Sequence, residues 1–270
     1  MLDLRPLSSA LGVEAVGLDV GAPLASGTRS ALRAAYRRRH LLLVRGECVA
    51  MATQREFASL FGPVIDSAYV SNARPEGIIA NGALLFHSDL AFTDHPYLGL
   101  SLHAIELPPA GSSTYFVDAV AAFRALPLGL RDRVRGLTAT HAFDLQTQRG
   151  DSAAHREPVP DHAERARHPV VLVHPATGDG VLYVNEMQTE CINELERAES
   201  DDLIATLFAH LYSGEFTYEH RWQLGDLIVW DNVAVQHARR DPAGGARTLQ
   251  RVTLAEIDPL ASWKTAQGRY

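Results

Sequence analysis

The chain has 270 residues, 46% hydrophobic and 21% charged. That is the balance of an ordinary globular chain with a sizeable core, too long for a small disulfide scaffold. Its 25 basic and 32 acidic residues leave a formal charge of -7, which argues against a sequence-independent grip on nucleic acid, because that needs a basic face.

The start alternates as a strand does, with Leu2 and Leu4 and then Val13, Ala15 and Gly17. A helix follows, with Ser26 or Thr28 as its expected cap and an apolar stripe at Leu32, Ala35 and Tyr36. Leu41–Val44 reads as a buried strand, and Thr53–Phe61 as a short amphipathic helix stopped by Gly62-Pro63. Beyond it, short apolar runs recur between Gly/Pro turns: Ile78–Ala80, Leu84–Phe86, Tyr97–Ile105, Thr114–Val117, Leu137–Phe143, Val170–His174, Val181–Val184, Asp226–Trp230 and Leu249–Ala255. Two helices interrupt them, Ala119–Arg135 split at Pro127, and Ser200–Tyr212 opening on Ser-Asp-Asp. The polar stretch 146–168 reads as a lid or mobile loop inserted in a single domain spanning 1–270. Many short strands with flanking helices predict a mainly β (α+β) sandwich or barrel. No apolar run approaches the roughly 18 residues of a membrane helix. The N-terminus does not read as a signal peptide. Cys48 and Cys191 are the only cysteines. These features predict reduced thiols, a cytoplasmic location and no membrane partner. Lys264 is the only lysine, which sets Schiff-base and phosphate-loop lysine chemistry aside.

The first chemical signal is Phe86-His87-Ser88-Asp89. Residues i and i+2 of a strand share a face, so His87 and Asp89 would present an imidazole and a carboxylate together. Alone the pair is as easily a structural ion pair; it needs a third ligand. His237 supplies one, at the end of the Trp230-Asp-Asn corner that follows an apolar strand. Two histidines and a carboxylate make the facial triad of non-haem Fe(II) oxygenases, with positions open for co-substrate and O2, whereas zinc sites more often close to four-coordination. His95, His103, His141 and His174 lie in or beside strands and read as structural or as neighbours of the site. His155, His162 and His168 fall in the polar loop and read as solvated.

Taken with Leu11-Gly-Val-Glu-Ala-Val-Gly-Leu-Asp, Leu41-Leu-Leu-Val-Arg-Gly, Phe61-Gly-Pro, Glu106-Leu-Pro-Pro-Ala-Gly-Ser-Ser-Thr, Gly225-Asp-Leu-Ile-Val-Trp-Asp-Asn and the 247–251 tail, the chain resembles the TauD/TfdA-like Fe(II)/2-oxoglutarate-dependent dioxygenases over nearly its whole length. The resemblance implies a double-stranded β-helix (jelly-roll), cupin-like core. It implies Fe(II), 2-oxoglutarate and O2 as cofactor and co-substrates, and hydroxylation of a C–H bond coupled to decarboxylation of 2-oxoglutarate to succinate. His87, Asp89 and His237 match the iron ligands. Thr114 and Arg247 match residues that hold 2-oxoglutarate, the planar guanidinium suiting a carboxylate. Arg251 matches an arginine that contacts anionic substrates. Asp66, Ser67 and Tyr69 stand near the place where sulfonate-acting relatives carry a histidine. Phe86 stands where several relatives have Trp, and an upstream family asparagine has no clear counterpart here, Asn81 lying six residues before His87. A small carboxylate, amino-acid-like or sulfonate metabolite is therefore the expected substrate. A homo-oligomer, dimer or tetramer, is also implied. Retention of Asp89 favours hydroxylation, or hydroxylation ending in fragmentation or desaturation, over halogenation. A cupin-type zinc or manganese enzyme and a non-catalytic binding protein remain the other classes.

Overall fold

The computed structural model describes residues 2–78, 82–144, 160–239 and 244–261. The elements in chain order are β1 (Asp3–Pro6), β2 (Val13–Val16), α1 (Ser26–Arg39), β3 (Leu41–Val44), α2 (Met51–Ala58), β4 (Val64–Ser71), β5 (Gly77–Ile78), β6 (Leu84–His87), β7 (Gly99–Glu106) and β8 (Ser113–Asp118). They continue with α3 (Ala119–Ala125), α4 (Leu128–Val134), β9 (Thr138–Phe143), β10 (Glu164–Pro169), β11 (Val171–Val173), β12 (Gly180–Leu182), β13 (Thr189–Ile192), α5 (Arg197–Leu211), β14 (Thr217–Arg221), β15 (Leu227–Asp231), β16 (Val235–Arg239) and β17 (Thr248–Leu254). No described helix is long and apolar enough to cross a membrane.

An eight-stranded sheet in the order β1-β2-β3-β15-β7-β17-β4-β5 and a four-stranded sheet in the order β14-β8-β16-β6 form the jelly roll. Strand alternation divides the core in two. Leu41, Leu43, Ile228, Trp230 and Leu249 join the core that includes Phe116 and Val117 of β8. Their neighbours Leu42, Val44, Leu227, Val229 and Val252 pack instead with Leu32, Ala35 and Phe57 of α1 and α2. Leu41–Val44 is buried on both faces for this reason. At the Leu224-Gly-Asp turn Gly225 has φ +85°, and a side chain there would run into the carbonyl oxygen of Gly46.

Several expectations need correction. α1 begins after Ala25 with no side-chain cap. The predicted 53–61 helix is α2 with a terminal turn, in which the Leu60 and Phe61 amides bond back to Phe57 and Ala58. α5 starts before Ser200, whose buried hydroxyl accepts the Ile192 amide and so ties down a strand rather than capping the helix. Pro127 does separate α3 from α4. Of the 146–168 stretch, 146–159 lies outside the described residues, as do Ile79–Asn81 and His155. Its end is not a loop: β10 pairs with β9 in continuous register. His168 is correspondingly half-buried, its Nε2 3.0 Å from the Thr93 carbonyl oxygen, while His162 stays exposed beside Asp144.

His141 on β9 gives a testable consequence. It is fully buried, with Nδ1 3.2 Å from Thr189 Oγ1 and Nε2 without a partner. Burial, and then the nearby His168, push its pKa down from 6.5 to about 3. Between those values the unfolded chain takes up the proton and the folded chain does not. Stability is therefore lost as pH falls from 6.5 towards 3, at up to about 1.4 kcal/mol per pH unit for this group. His141→Asn is expected to flatten that acid limb in urea midpoints taken at pH 7 and pH 5. An unchanged pH slope would contradict the assignment.

Candidate active site

β6 and β16 are neighbours, and His237 registers directly opposite His87. Cross-strand partners share a face, so the two imidazoles stand side by side with ring centroids 4.2 Å apart. Asp89 reaches them in a way the sequence pattern did not give. β6 ends at His87, and Asp89 sits on the following turn rather than on the strand. Its Oδ1 lies 3.1 Å from His87 Nε2 and 3.9 Å from His237 Nε2. The ligand atoms of all three residues fall within 4.8 Å of one another, the one such grouping among the described residues.

His237 lies beyond the Trp230-Asp-Asn corner, on a strand of its own. β15 belongs to the larger sheet, the chain turns at 232–234, and β16 continues in the smaller one. The corner is tightly pinned. Asp231 Oδ1 accepts the Val233 and Ala234 amides, and its Oδ2 lies 3.0 Å from His174 Nε2. His174 Nδ1 accepts two backbone amides, which leaves Nε2 as the donor to Asp231.

The protonation states suit a cation. Burial, with His87 and Arg251 adding to it, pushes the His237 pKa down to about 3, so its imidazole is neutral at physiological pH. Burial would raise the Asp89 carboxyl, but Arg251, His87 and His237 together hold it well below the usual range. His87 Nδ1 is 2.8 Å from the Leu85 carbonyl oxygen, which leaves Nε2 as the lone-pair side. His237 Nδ1 is buried without a partner. Two imidazole nitrogens and a carboxylate oxygen converging at this spacing fit Fe(II).

Arg251 Nη2 donates to Asp89 Oδ2 at 2.6 Å, and its guanidinium lies over the Tyr97 ring. Arg247 precedes β17 by one residue and shares strand parity with Arg251. It is 6% exposed, donates from Nε to Ser112 Oγ at 2.8 Å, and has no acidic ion-pair partner among the described residues. Burial and the nearby Arg239 lower its pKa to about 10, so it stays cationic at neutral pH and open to an anion. Thr114 on β8 is buried, and its hydroxyl accepts from Trp222 Nε1 at 2.9 Å. That bond occupies a lone pair and frees the hydroxyl hydrogen to donate.

The remaining predicted site residues do not converge here. Phe86 precedes the inward-facing His87, so alternation turns it to the other face of the sheet, where it stacks on Tyr212, just past the end of α5, at 4.5 Å. Ser67 and Tyr69 register opposite Val252 and Gln250 of β17, on the face away from Arg251. Ser67 Oγ accepts from Arg55 of α2, and Arg74 covers the Tyr69 ring. Ala68 is the residue opposite Arg251. Asp66, opposite Thr253, is exposed and accepts the amide of Ser67. Trp222, Ser112 and Asn232 were not singled out from the sequence, although each touches a predicted site residue.

The chain's known relatives point in one direction. The family model for "Taurine catabolism dioxygenase TauD, TfdA family" matches residues 3–253. An alpha-ketoglutarate-dependent sulfate ester dioxygenase of Pseudomonas putida is 30% identical, with 96% of this chain and 91% of the relative aligned. An alpha-ketoglutarate-dependent 2,4-dichlorophenoxyacetate dioxygenase of Cupriavidus pinatubonensis is 31% identical over 94% and 96%. Among solved structures, a taurine dioxygenase from Burkholderia xenovorans superposes with a TM-score of 0.79 at 26% identity, covering 96% of this chain and 92% of that one. AAD-2 in complex with Mn(II) and N-oxalylglycine, which substitute for the metal and 2-oxoglutarate, gives 0.81 at 27% over 96% and 99%.

Proposed function

This chain belongs to the TauD/TfdA family and is an Fe(II)/2-oxoglutarate-dependent dioxygenase, and on that premise we propose that His87, Asp89 and His237 hold its iron and that Arg247 and Thr114 hold the far carboxylate of 2-oxoglutarate. The observation that carries the proposal is the meeting of the three ligand atoms within 4.8 Å. When bound, Fe(II), 2-oxoglutarate and O2 supply the oxidising power that cuts an unactivated C–H bond, with succinate and CO2 as co-products. The protein's own part is placement and exclusion of water. Arg251 occupies Asp89 Oδ2 and so leaves Oδ1, which faces the two imidazoles, as the oxygen that would hold the metal. Phe116 and Trp230 pack on the His237 ring and keep bulk water from that side. Arg247 fixes the co-substrate's far end by charge, and the Thr114 hydroxyl by direction.

Thr114→Val removes that hydroxyl at constant shape and strands the Trp222 N–H. A hydrogen bond to a charged group is worth about 1.5 to 3 kcal/mol, so the Kd for 2-oxoglutarate is expected to rise roughly 10- to 150-fold with metal affinity unchanged. An unaltered Kd by calorimetry would remove Thr114 from the co-substrate site.

For the prime substrate we propose a small molecule bearing an anionic group, with Arg251 as the basic side chain beside the reacting centre and the reaction a hydroxylation that ends in fragmentation where the attacked carbon carries oxygen. The relatives named for sulfate esters and dichlorophenoxyacetate support this choice. Succinate release should be measured over alkyl sulfates, aryloxyacetates, amino acids and neutral ethers of matched size. Turnover confined to anionic compounds is expected, and equal turnover of neutral ones would overturn the assignment. We further propose a single catalytic domain over 1–270, a cytoplasmic location, in keeping with the free thiols of Cys48 and Cys191, and a homo-oligomer, as is common in the family.

A further inference from the structure

Asn232 is fully buried in the corner between β15 and β16, and its carboxamide embraces the turn that carries Asp89. Its Oδ1 accepts the Asp89 amide at 2.8 Å. Its Nδ2 donates to the Asp89 carbonyl oxygen and to the Tyr97 carbonyl oxygen, each at 2.9 Å. Its backbone N–H donates to the Leu98 carbonyl oxygen at 3.0 Å. One side chain thus satisfies both backbone polar groups of a single residue, and that residue is the carboxylate of the triad. The amide can be oriented only one way, because an N–H faces Oδ1 and two carbonyls face Nδ2.

Two observations show that this turn needs holding. Leu90, directly after Asp89, has φ +62°, a left-handed conformation that a branched side chain disfavours and that persists where the surroundings impose it. The turn also lies past the end of β6, so no sheet ladder fixes Asp89 as one fixes His87. The other wall of the clamp is rigid: Asp231, beside Asn232, is anchored by His174 and by the amides of Val233 and Ala234. The same corner leads five residues on to His237.

We infer that Asn232 is a positioning residue that sets the placement of the Asp89 carboxylate relative to His237, and so determines how tightly the facial triad holds its metal. This rests on the assignment of His87, Asp89 and His237 as ligands. Arg251 holds the carboxylate's outer oxygen but leaves the backbone beneath it free to swing; Asn232 holds the backbone. Truncating it frees the turn to relax at Leu90 and carries Asp89 away from the two imidazoles.

The test uses the metal-free full chain titrated with Co(II) under anaerobic conditions, read by visible d–d absorption, alongside the thermal midpoint of the metal-free protein. Loss of an outer-sphere partner of a ligand typically costs about 10- to 100-fold in metal affinity, and Asn232→Ala is expected to raise the Co(II) Kd within that range. Leu207→Ala, a cavity in the α5 packing remote from the triad, serves as the control: it lowers the midpoint and leaves the Kd unchanged. If Asn232→Ala does not fold, Asn232→Ser, which keeps a short hydroxyl there, is read in the same way. A folded Asn232 variant with a lowered midpoint and native Co(II) affinity would make the residue merely structural and overturn the inference while leaving the ligand assignment standing. A native protein that binds no Co(II), or binds it equally well as His87→Ala, would overturn both.

Discussion

His237→Ala is expected to abolish tight Fe(II) binding and to lower succinate formation by about a thousandfold or more, since a catalytic metal supplies several kcal/mol to the rate-determining step and each 1.4 kcal/mol is a factor of ten. The loss should not be a folding defect. In the metal-free chain the imidazole is buried with Nδ1 unsatisfied and its pKa is forced down to about 3, so it is a residue that the fold tolerates rather than one that stabilises it. Its removal leaves a small gap beside Trp230 and Phe116, and His237→Gln fills most of that volume. Both variants should keep the native circular dichroism and fail to bind metal. Retention of Fe(II) affinity within threefold of native in the alanine variant would show that the ligand set is wrong.

The second large effect belongs to Arg247. A charge-assisted pair with a carboxylate contributes about 1.5 to 3 kcal/mol per hydrogen bond, and a bidentate pair is expected to lift the Kd for 2-oxoglutarate at least a hundredfold when Arg247 becomes alanine. Fe(II) affinity should not change, because among the described residues Arg247 makes no hydrogen bond or ion pair with Asp89 or either histidine, its Nε going instead to Ser112. Arg247→Lys should recover part of the loss, as a point charge without the fork. Stability provides a second signature. Arg247 is buried near Arg239 with its pKa lowered, so removing it relieves like-charge repulsion, and the metal-free thermal midpoint should hold or rise. A fall in Fe(II) affinity equal to the fall in 2-oxoglutarate affinity would point to damage at the metal centre instead.

Much of this architecture was legible in the sequence where the chain is most apolar. Leu41–Val44, Asp226–Trp230 and Leu249–Ala255 announce β3, β15 and β17 because both faces of these strands are buried, or nearly so. β4, β10 and β14 escaped notice because Val64-Ile-Asp-Ser-Ala-Tyr, Glu164-Arg-Ala-Arg-His-Pro and Thr217-Tyr-Glu-His-Arg carry no clean run or alternation; their partners β17, β9 and β8 hold them in place through ladders, which is tertiary information. The triad could be named from residue chemistry and the family likeness, but not its construction. His87 and Asp89 do come together, but not by sharing a strand face, since Asp89 stands on the turn after β6.

Sidedness divides the substrate residues in the same manner. Period-two alternation alone sets Phe86 opposite to His87, and it could have been rejected from the sequence. Ser67 and Tyr69 could not, since which face of β4 meets Arg251 depends on its register with β17. Asn232 was visible within Trp230-Asp-Asn, yet nothing in one dimension shows that its amide closes on a backbone 143 residues earlier.

The most direct test of the central assignment is anaerobic addition of Fe(II) and 2-oxoglutarate to the metal-free protein, watched for the weak visible charge-transfer band of the chelate. The native chain is expected to develop the band. His87→Ala should lose it, and Arg247→Ala should need a far higher 2-oxoglutarate concentration to reach it. Fe(II) bound without any such band, or a band that persists unchanged in both variants, would contradict the assignment of this site.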